Sequence, residues 1–315
     1  MTDTSSPAAV TSDIAQDTSR NTSRNIGWIG TGVMGRSMAG HLLDAGHRLR
    51  IHTRTREKAA DLLDRGAVWA ATPREAAEGA DVAISIVGLP GDVEAVHLGP
   101  DGILAAERPP AIVVDMTTSS PELATRIATV AAERGVAALD APVSGGDVGA
   151  RNATLSIMVG GDAAAFERVR PLFEAMGRTI VLQGPAGAGQ RTKIVNQTLV
   201  AASMIGAVEA MRFAVRSGLD PRRVLESVSS GAAGSWTLSN LVPRMLDGDT
   251  APGFFIEHFV KDLGIAVGEA RELGLELEGL ELADRLYRAA EAAGRGRQGT
   301  QALFEAMSET DAIRD

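Results

Sequence analysis

Short, wholly apolar runs bounded by turn residues recur through the first half of the chain. Ile26-Gly27-Trp28-Ile29 is the first, Leu49 to Ile51 the second, Val82 to Val87 the third and Ala111 to Asp115 the fourth, and another short apolar segment precedes Asp140. Continuous runs of this length, without alternation, read as strands buried on both faces, as in a parallel sheet. Between the first two, Met38, Leu42 and Leu43 recur at helical spacing and stop at Ala45-Gly46, so the chain opens as strand, tight turn, helix, strand. Beyond Gln190 the pattern turns wholly helical: a long apolar segment to Ser217, a helix after Asp220-Pro221, then Lys261 to Leu273 and Leu280 to Ala293. These patterns predict an α/β chain, with a doubly wound parallel sheet in residues 25–189 and an all-α domain in residues 190–315. The 190–217 helix, apolar on several faces, is expected to be a buried spine that joins the domains and meets a partner chain.

Composition narrows the function. A chain of 315 residues has room for two domains, and a formal charge of -9 argues against a nucleic-acid surface. There is no cysteine, so neither a thiolate nucleophile nor a sulfur-ligated metal exists, and the five histidines never take the paired helical spacing of a zinc site. No metal is expected. Residues 1–24, rich in Ser, Thr, Asp and Ala, lack the apolar core of a signal peptide and read as a disordered tail. Apolar stretches downstream are broken by charge within about twenty residues, so no membrane span is expected and a cytoplasmic address follows by default.

The turn after the first strand is Gly30-Thr31-Gly32-Val33-Met34-Gly35. In a Rossmann-type strand-turn-helix, Gly30 permits the sharp turn, Gly32 lets backbone approach a pyrophosphate and Gly35 allows close helix-sheet packing. The helix's free N–H groups then face the phosphates, with Val33 and Met34 beside them. The second strand ends in His52-Thr53-Arg54-Thr55-Arg56, with no acid before Glu57. An NAD enzyme usually keeps a carboxylate there for the ribose hydroxyls. Arg54 would instead grip a 2′-phosphate, with Thr53 or Thr55 adding hydroxyl bonds, so NADP(H) is expected to be preferred over NAD(H). Arg54 as a plain loop decoration is the alternative. The Leu89-Pro90 turn and Thr118 follow other strands and are expected to line the cofactor groove, although both also suit ordinary turns.

Lysine is scarce. Lys58, Lys193 and Lys261 are the only three in a chain whose other cationic side chains are arginine. Arginine stays charged at any working pH, so a retained lysine points to an amine that gives up its proton. Lys58 lies in a polar run and reads as a solvated helix start. Lys193, Asn196 and Gln197 stand at i, i+3 and i+4, one polar face on an otherwise greasy helix. Upstream, Ser144-Gly145-Gly146 follows Asp140-Ala-Pro-Val and offers a hydroxyl and open backbone N–H groups to an anion; a surface loop is the competing reading.

Together these motifs resemble the beta-hydroxyacid dehydrogenase family, which includes 3-hydroxyisobutyrate dehydrogenase, tartronate semialdehyde reductase and glyoxylate/succinic semialdehyde reductase. The resemblance runs from about residue 25 to about residue 305. It implies that Gly30, Gly32 and Gly35 form the dinucleotide turn, that Ser144, Gly145 and Gly146 bind substrate carboxylate, that Lys193 is the catalytic lysine and that Asn196 orients the substrate. It further implies that Lys261 approaches the nicotinamide and that Asp262 borders the substrate. Gln197 stands where several members have a second asparagine, and Thr117 where serine is common. The implied chemistry is interconversion of a small 3-hydroxy or 2-hydroxy acid and its semialdehyde or oxo acid, with 2-hydroxy-3-oxopropionate (tartronate semialdehyde) or 3-hydroxyisobutyrate as leading substrates. Lys193 would be the acid and base, on condition that its site disfavours the cation. Trp236, Phe254 and Phe255 are candidate pocket walls or core. The resemblance also implies a homodimer or homotetramer through the helical domain. An NADPH-dependent imine reductase of the same fold and a non-catalytic NADP-binding module are the rival readings; Lys193 counts against both.

Overall fold

A computed structural model describes residues 23–314. The expected tail falls outside the described residues except for its last two positions, where the Ser23 hydroxyl donates to the Gly46 carbonyl at 2.8 Å and the Arg24 N–H to His47 Nδ1 at 3.3 Å.

Among the described residues nine strands form one sheet: β1 (Asn25–Ile29), β2 (Arg48–His52), β3 (Val68–Trp69), β4 (Val82–Ser85), β5 (Ile112–Asp115), β6 (Ala137–Asp140), β7 (Val143–Ser144), β8 (Leu155–Gly161) and β9 (Gly177–Gly184). Their order is β3-β2-β1-β4-β5-β6-β8-β7, with β9 also paired to β8. Strands β1 to β6 are parallel. Strand β8 runs antiparallel to β6 and β7 and parallel to β9, so the sheet is mixed rather than wholly parallel. The order reverses between β1 and β4, and ligands of doubly wound sheets bind at such a switch point, outside the C-terminal strand ends.

Residues of alternating parity on the central strands fill the two faces. Trp28, Ile51, Ile84 and Val114 are buried in one core with Met38 and Leu42 of the Gly35–Asp44 helix; Ile29, Ala83 and Val113 are buried in another with Ala76 and Ala77 of the Pro73–Ala77 helix. Each large side chain buried in this way contributes about 1.5–3 kcal/mol. The third apolar run stops being strand at Ser85, and Ile86 and Val87 turn into the cleft described below.

From Ala188 onward the chain is helical. The 29-residue Ala188–Arg216 helix carries Lys193 and Gln197 near its start and packs Met204, Val208 and Met211 against Ile256, Phe259 and Leu263 of the Ile256–Glu272 helix. Tyr287 of the Glu278–Ala290 helix closes that core, edge-on to Phe259 at 4.8 Å, with its hydroxyl donating to the Thr300 carbonyl. The Lys261 helix begins five residues earlier than its periodicity suggests, at Ile256, because Phe255 is the extended residue before it. Trp236–Asn240 and Val242–Leu246 form short helices that no run of apolar spacing marked.

The long helix is buried along one side and open along another. By length and composition it is apolar enough to cross a membrane, although its arginines and Lys193 lie near the ends; its buried positions place it in the helical core. Val195, Leu199 and Phe213 are 60%, 65% and 72% exposed in the single chain.

Candidate functional site

A cleft of about 1430 Å³ opens between the C-terminal ends of the strands and the helical half. It exceeds the roughly 300–1,000 Å³ of ordinary small-molecule pockets, so a dinucleotide and a small acid fit together.

One end is built from the glycine turn. Gly30 has φ +102, and a Cβ there would stand 2.0 Å from the Ile86 carbonyl oxygen. A Cβ on Gly35 would stand 2.4 Å from the Gly30 carbonyl oxygen, so both glycines let backbones touch. Gly32 differs: its Cβ would meet nothing within 4 Å among the described residues, which leaves backbone exposed toward the cleft. The Gly35–Asp44 helix starts without a side-chain cap and without an acid in its first turn. The Thr31 hydroxyl oxygen is buried with no hydrogen-bond partner among the described residues. Uncapped N–H groups, an orphan hydroxyl and an open glycine fit the pyrophosphate of a dinucleotide, and Val33 and Met34 line the same wall.

At the end of β2, Thr53, Arg54 and Thr55 all line the cleft. The Arg54 side chain is 82% exposed and touches Asp92 at 3.4 Å, so its guanidinium is loosely tethered beside the groove. Asp92 also accepts the Leu89 N–H at 3.1 Å. Leu89 and Pro90 themselves do not belong to the wall: they open the Pro90–Leu98 helix with the Leu89 side chain exposed, and Gly88 and Asp92 take the lining positions. Thr118 does line the cleft.

The other end is built where β7 meets the Ala188–Arg216 helix. Ser144, Gly145 and Gly146 line the cleft, and the two glycines have φ +131 and +62, values that L side chains rarely adopt. The buried Asp140 carboxylate accepts the Gly187 N–H at 2.7 Å and the Gln190 N–H at 2.8 Å, which fixes the start of the helix against β6. Lys193 follows within one turn. Its ammonium donates to the Val143 carbonyl at 2.8 Å, immediately beside Ser144. Burial brings its pKa down from 10.5 to about 8; Asp262 opposes that fall and Lys261 adds to it.

The remaining polar residues form one chain of contacts. The Asn196 amide donates to Gln197 Oε1 at 2.7 Å, and Gln197 Nε2 donates to Asp262 Oδ2 at 2.6 Å. Lys261 Nζ lies 2.7 Å from Asp262 Oδ1 and donates to the Thr118 carbonyl at 2.5 Å. Gln197 thus does more than replace an asparagine: its longer reach satisfies the buried Asp262. Trp236, Phe254 and Phe255 stand on the cleft wall.

Further residues complete the wall. Lys58, whose polar run suits a solvated helix start, also lines the groove, and the scarcity of lysine is the one sequence signal for it. Arg244 and His258 reach the wall through the helical half; His258 opens the segment that carries Lys261 and Asp262, whereas no local motif announces Arg244.

The cleft therefore places a buried amine between an anion-accepting glycine loop and a dinucleotide cradle, which is equipment for proton transfer at a carbonyl or hydroxyl. Residues 25–184 match the NAD binding domain of 6-phosphogluconate dehydrogenase, and residues 187–307 match the NAD-binding region of NADP-dependent 3-hydroxyisobutyrate dehydrogenase. The chain is 47% identical over 297 residues to a probable mitochondrial 3-hydroxyisobutyrate dehydrogenase-like protein of Arabidopsis thaliana, covering 94% of this chain and 89% of that one. It is 41% identical over 272 residues to an NAD-dependent L-serine dehydrogenase of Pseudomonas aeruginosa (84% and 91% covered) and 40% identical over 282 residues to 2-hydroxy-3-oxopropionate reductase of Escherichia coli (90% and 96% covered). The crystal structure of 3-hydroxyisobutyrate dehydrogenase from Salmonella typhimurium superposes with a TM-score of 0.82 at 31% identity, covering 90% of this chain and 99% of that one. The chain belongs to the beta-hydroxyacid dehydrogenase family and is an NAD(P)-dependent oxidoreductase acting on CH-OH groups.

Proposed function

We propose that the chain is an NADP(H)-linked reductase of a three- or four-carbon semialdehyde, with 2-hydroxy-3-oxopropionate (tartronate semialdehyde) first and the 3-hydroxyisobutyrate pair second, and that it runs the reverse oxidation at higher pH. The observation that carries the reading is the buried Lys193 ammonium held against Val143, one residue from the Ser144-Gly145-Gly146 loop. A bound nicotinamide dinucleotide supplies the hydride or takes it up. The glycine loop holds the substrate carboxylate with backbone N–H groups and the Ser144 hydroxyl. Asn196, anchored through Gln197 and Asp262, orients the oxygen that reacts. Lys193 gives its proton to that oxygen as charge develops there, and the neutral amine removes it in the oxidative direction. An amine that loses its proton near pH 8 serves both tasks, whereas an ordinary lysine would serve only the first.

Preference for NADP(H) rests on Arg54, with Lys58 also on the cleft wall and no carboxylate at the end of β2. The name of the Pseudomonas relative points the other way, so the two cofactors need direct comparison. The test is a steady-state panel of tartronate, methylmalonate and succinic semialdehydes and glyoxylate, each with NADPH and NADH. The highest kcat/KM is expected with a three- or four-carbon semialdehyde and NADPH; preference for NADH would overturn the cofactor assignment. Cyclic imines in the same assay are expected to be inert, and turnover of them would revive the imine-reductase alternative.

The exposed flank of the long helix, Val195 and Phe213, supports assembly of the helical domain (residues 190–315) with a second copy. Sedimentation velocity should show a dimer or tetramer that Val195→Arg with Phe213→Arg reduces to monomers; a monomeric parent protein would refute it. We place the protein in the cytoplasm, which cell fractionation can contradict.

A further inference from the structure

The turn after β5 makes more connections than a cofactor wall requires. Thr117 is 3% exposed; its hydroxyl oxygen accepts the Val87 N–H at 2.9 Å, and its own N–H donates to Asp115 Oδ1 at 3.1 Å. The Ser85 hydroxyl donates to the same Asp115 oxygen at 2.9 Å and lies 2.8 Å from His97 Nε2. Burial pushes the His97 pKa down to about 4, so its ring is neutral, and because the Ser85 proton points to Asp115, Nε2 carries the ring hydrogen. Burial lifts the Asp115 carboxyl to about 6, against the hydrogen bonds from Thr117 and Ser85. From the other side, Gln190 Nε2 donates to the Thr117 carbonyl at 2.7 Å and its Oε1 accepts the Ser119 N–H at 2.9 Å. The next carbonyl, that of Thr118, receives the Lys261 ammonium. Ser85, His97 and Asp115 are buried behind the cleft wall, away from any substrate.

We propose that Thr117, braced by the buried Asp115–Ser85–His97 cluster, is a positioning residue: by fixing the turn that carries the Thr118 carbonyl, it seats the Lys261 ammonium beside Lys193. The inference rests on Lys193 being the acid/base group. The charges facing Lys193 are Lys261 and Asp262 on the Ile256–Glu272 helix, with His258 one turn earlier and Asp140 at the foot of its own helix. A turn that loosens lets Lys261 withdraw and leaves Asp262 less neutralised. Both changes favour the Lys193 cation.

The chain's three lysines make this directly readable. Full-length protein labelled with ¹³C at lysine Cε gives three signals, assigned through Lys58→Arg and Lys193→Met, and titrated by NMR without any activity measurement. In the parent protein the Lys193 signal should titrate near 8. Thr117→Val, of equal shape, removes the acceptor of the Val87 N–H and should raise that midpoint by about half a pH unit or more. Thr117→Ser should restore it. Should Thr117→Val not fold, Ser85→Ala withdraws one donor from Asp115 and carries the same upward expectation. A parent midpoint near 8 that stays in place in these variants, while their thermal stability falls, would show a purely structural brace and overturn the inference alone. A parent protein in which Lys193 titrates as an ordinary lysine would overturn the acid/base reading, and the inference with it.

Discussion

Replacing Lys193 by methionine should make the protein more stable while removing its chemistry. Burial brings the Lys193 pKa from 10.5 to about 8, and at ~1.4 kcal/mol per pH unit this corresponds to about 3 kcal/mol spent on holding the cation in the folded state. Between these two values the unfolded chain binds more protons than the folded one, so stability of the parent protein rises with pH across that window and the full penalty applies below pH 8. Methionine removes the penalty and fills similar volume, but it orphans the Val143 carbonyl, at a cost of about 1 kcal/mol. The net expectation at pH 7 is a gain on the order of 2 kcal/mol, shrinking toward zero and then reversing as the pH approaches 10.5. Urea denaturation of both proteins at pH 7 and pH 10, without cofactor, measures the difference. A Lys193→Met protein that is less stable by the same amount at both pH values would refute the buried-cation argument.

Further expectations follow from the same geometry. The rate of reduction should fall above about pH 8 as Lys193 loses its proton, and the rate of oxidation should rise through the same range; parallel, flat profiles in stopped-flow hydride transfer would contradict this. Gly32→Ala should fold normally, because its Cβ meets nothing within 4 Å, yet weaken NADPH binding ten-fold or more by roughly occupying the pyrophosphate's approach, whereas Gly35→Ala should lose about 1–3 kcal/mol of stability through its contact with the Gly30 carbonyl. Equilibrium dialysis with thermal melts separates the two, and equal destabilisation would be the contrary result. Arg54→Ala should raise the KM for NADPH roughly ten-fold and leave that for NADH nearly unchanged; equal effects on both cofactors would remove Arg54 from 2′-phosphate recognition.

The strand-turn-helix of residues 26–51 was legible because each level agrees: apolar runs, a glycine triplet and a helical stripe all demand the same local structure. Lys193, Asn196 and Gln197 were legible as one face because they share a helix. What spacing could not show is contact across the sequence. Nothing local to Lys261 announces the Thr118 carbonyl, 143 positions away, and nothing in Ser85 or His97 announces Asp115. The antiparallel β8 was also hidden: its apolar run resembles the parallel strands, and only its pairing with β6 and β7 reverses its direction. Leu89 and Pro90 misled because a Gly-Leu-Pro-Gly segment after a strand suits a groove as well as a helix start, and here it is the helix start.

The most direct test of the central claim is a single-turnover measurement of hydride transfer from NADPH to 2-hydroxy-3-oxopropionate in Lys193→Met, with both ligands saturating and their binding verified separately. If Lys193 is the acid/base group, binding persists and the transfer rate drops by about 10²–10⁴. Transfer at the parent rate would contradict it.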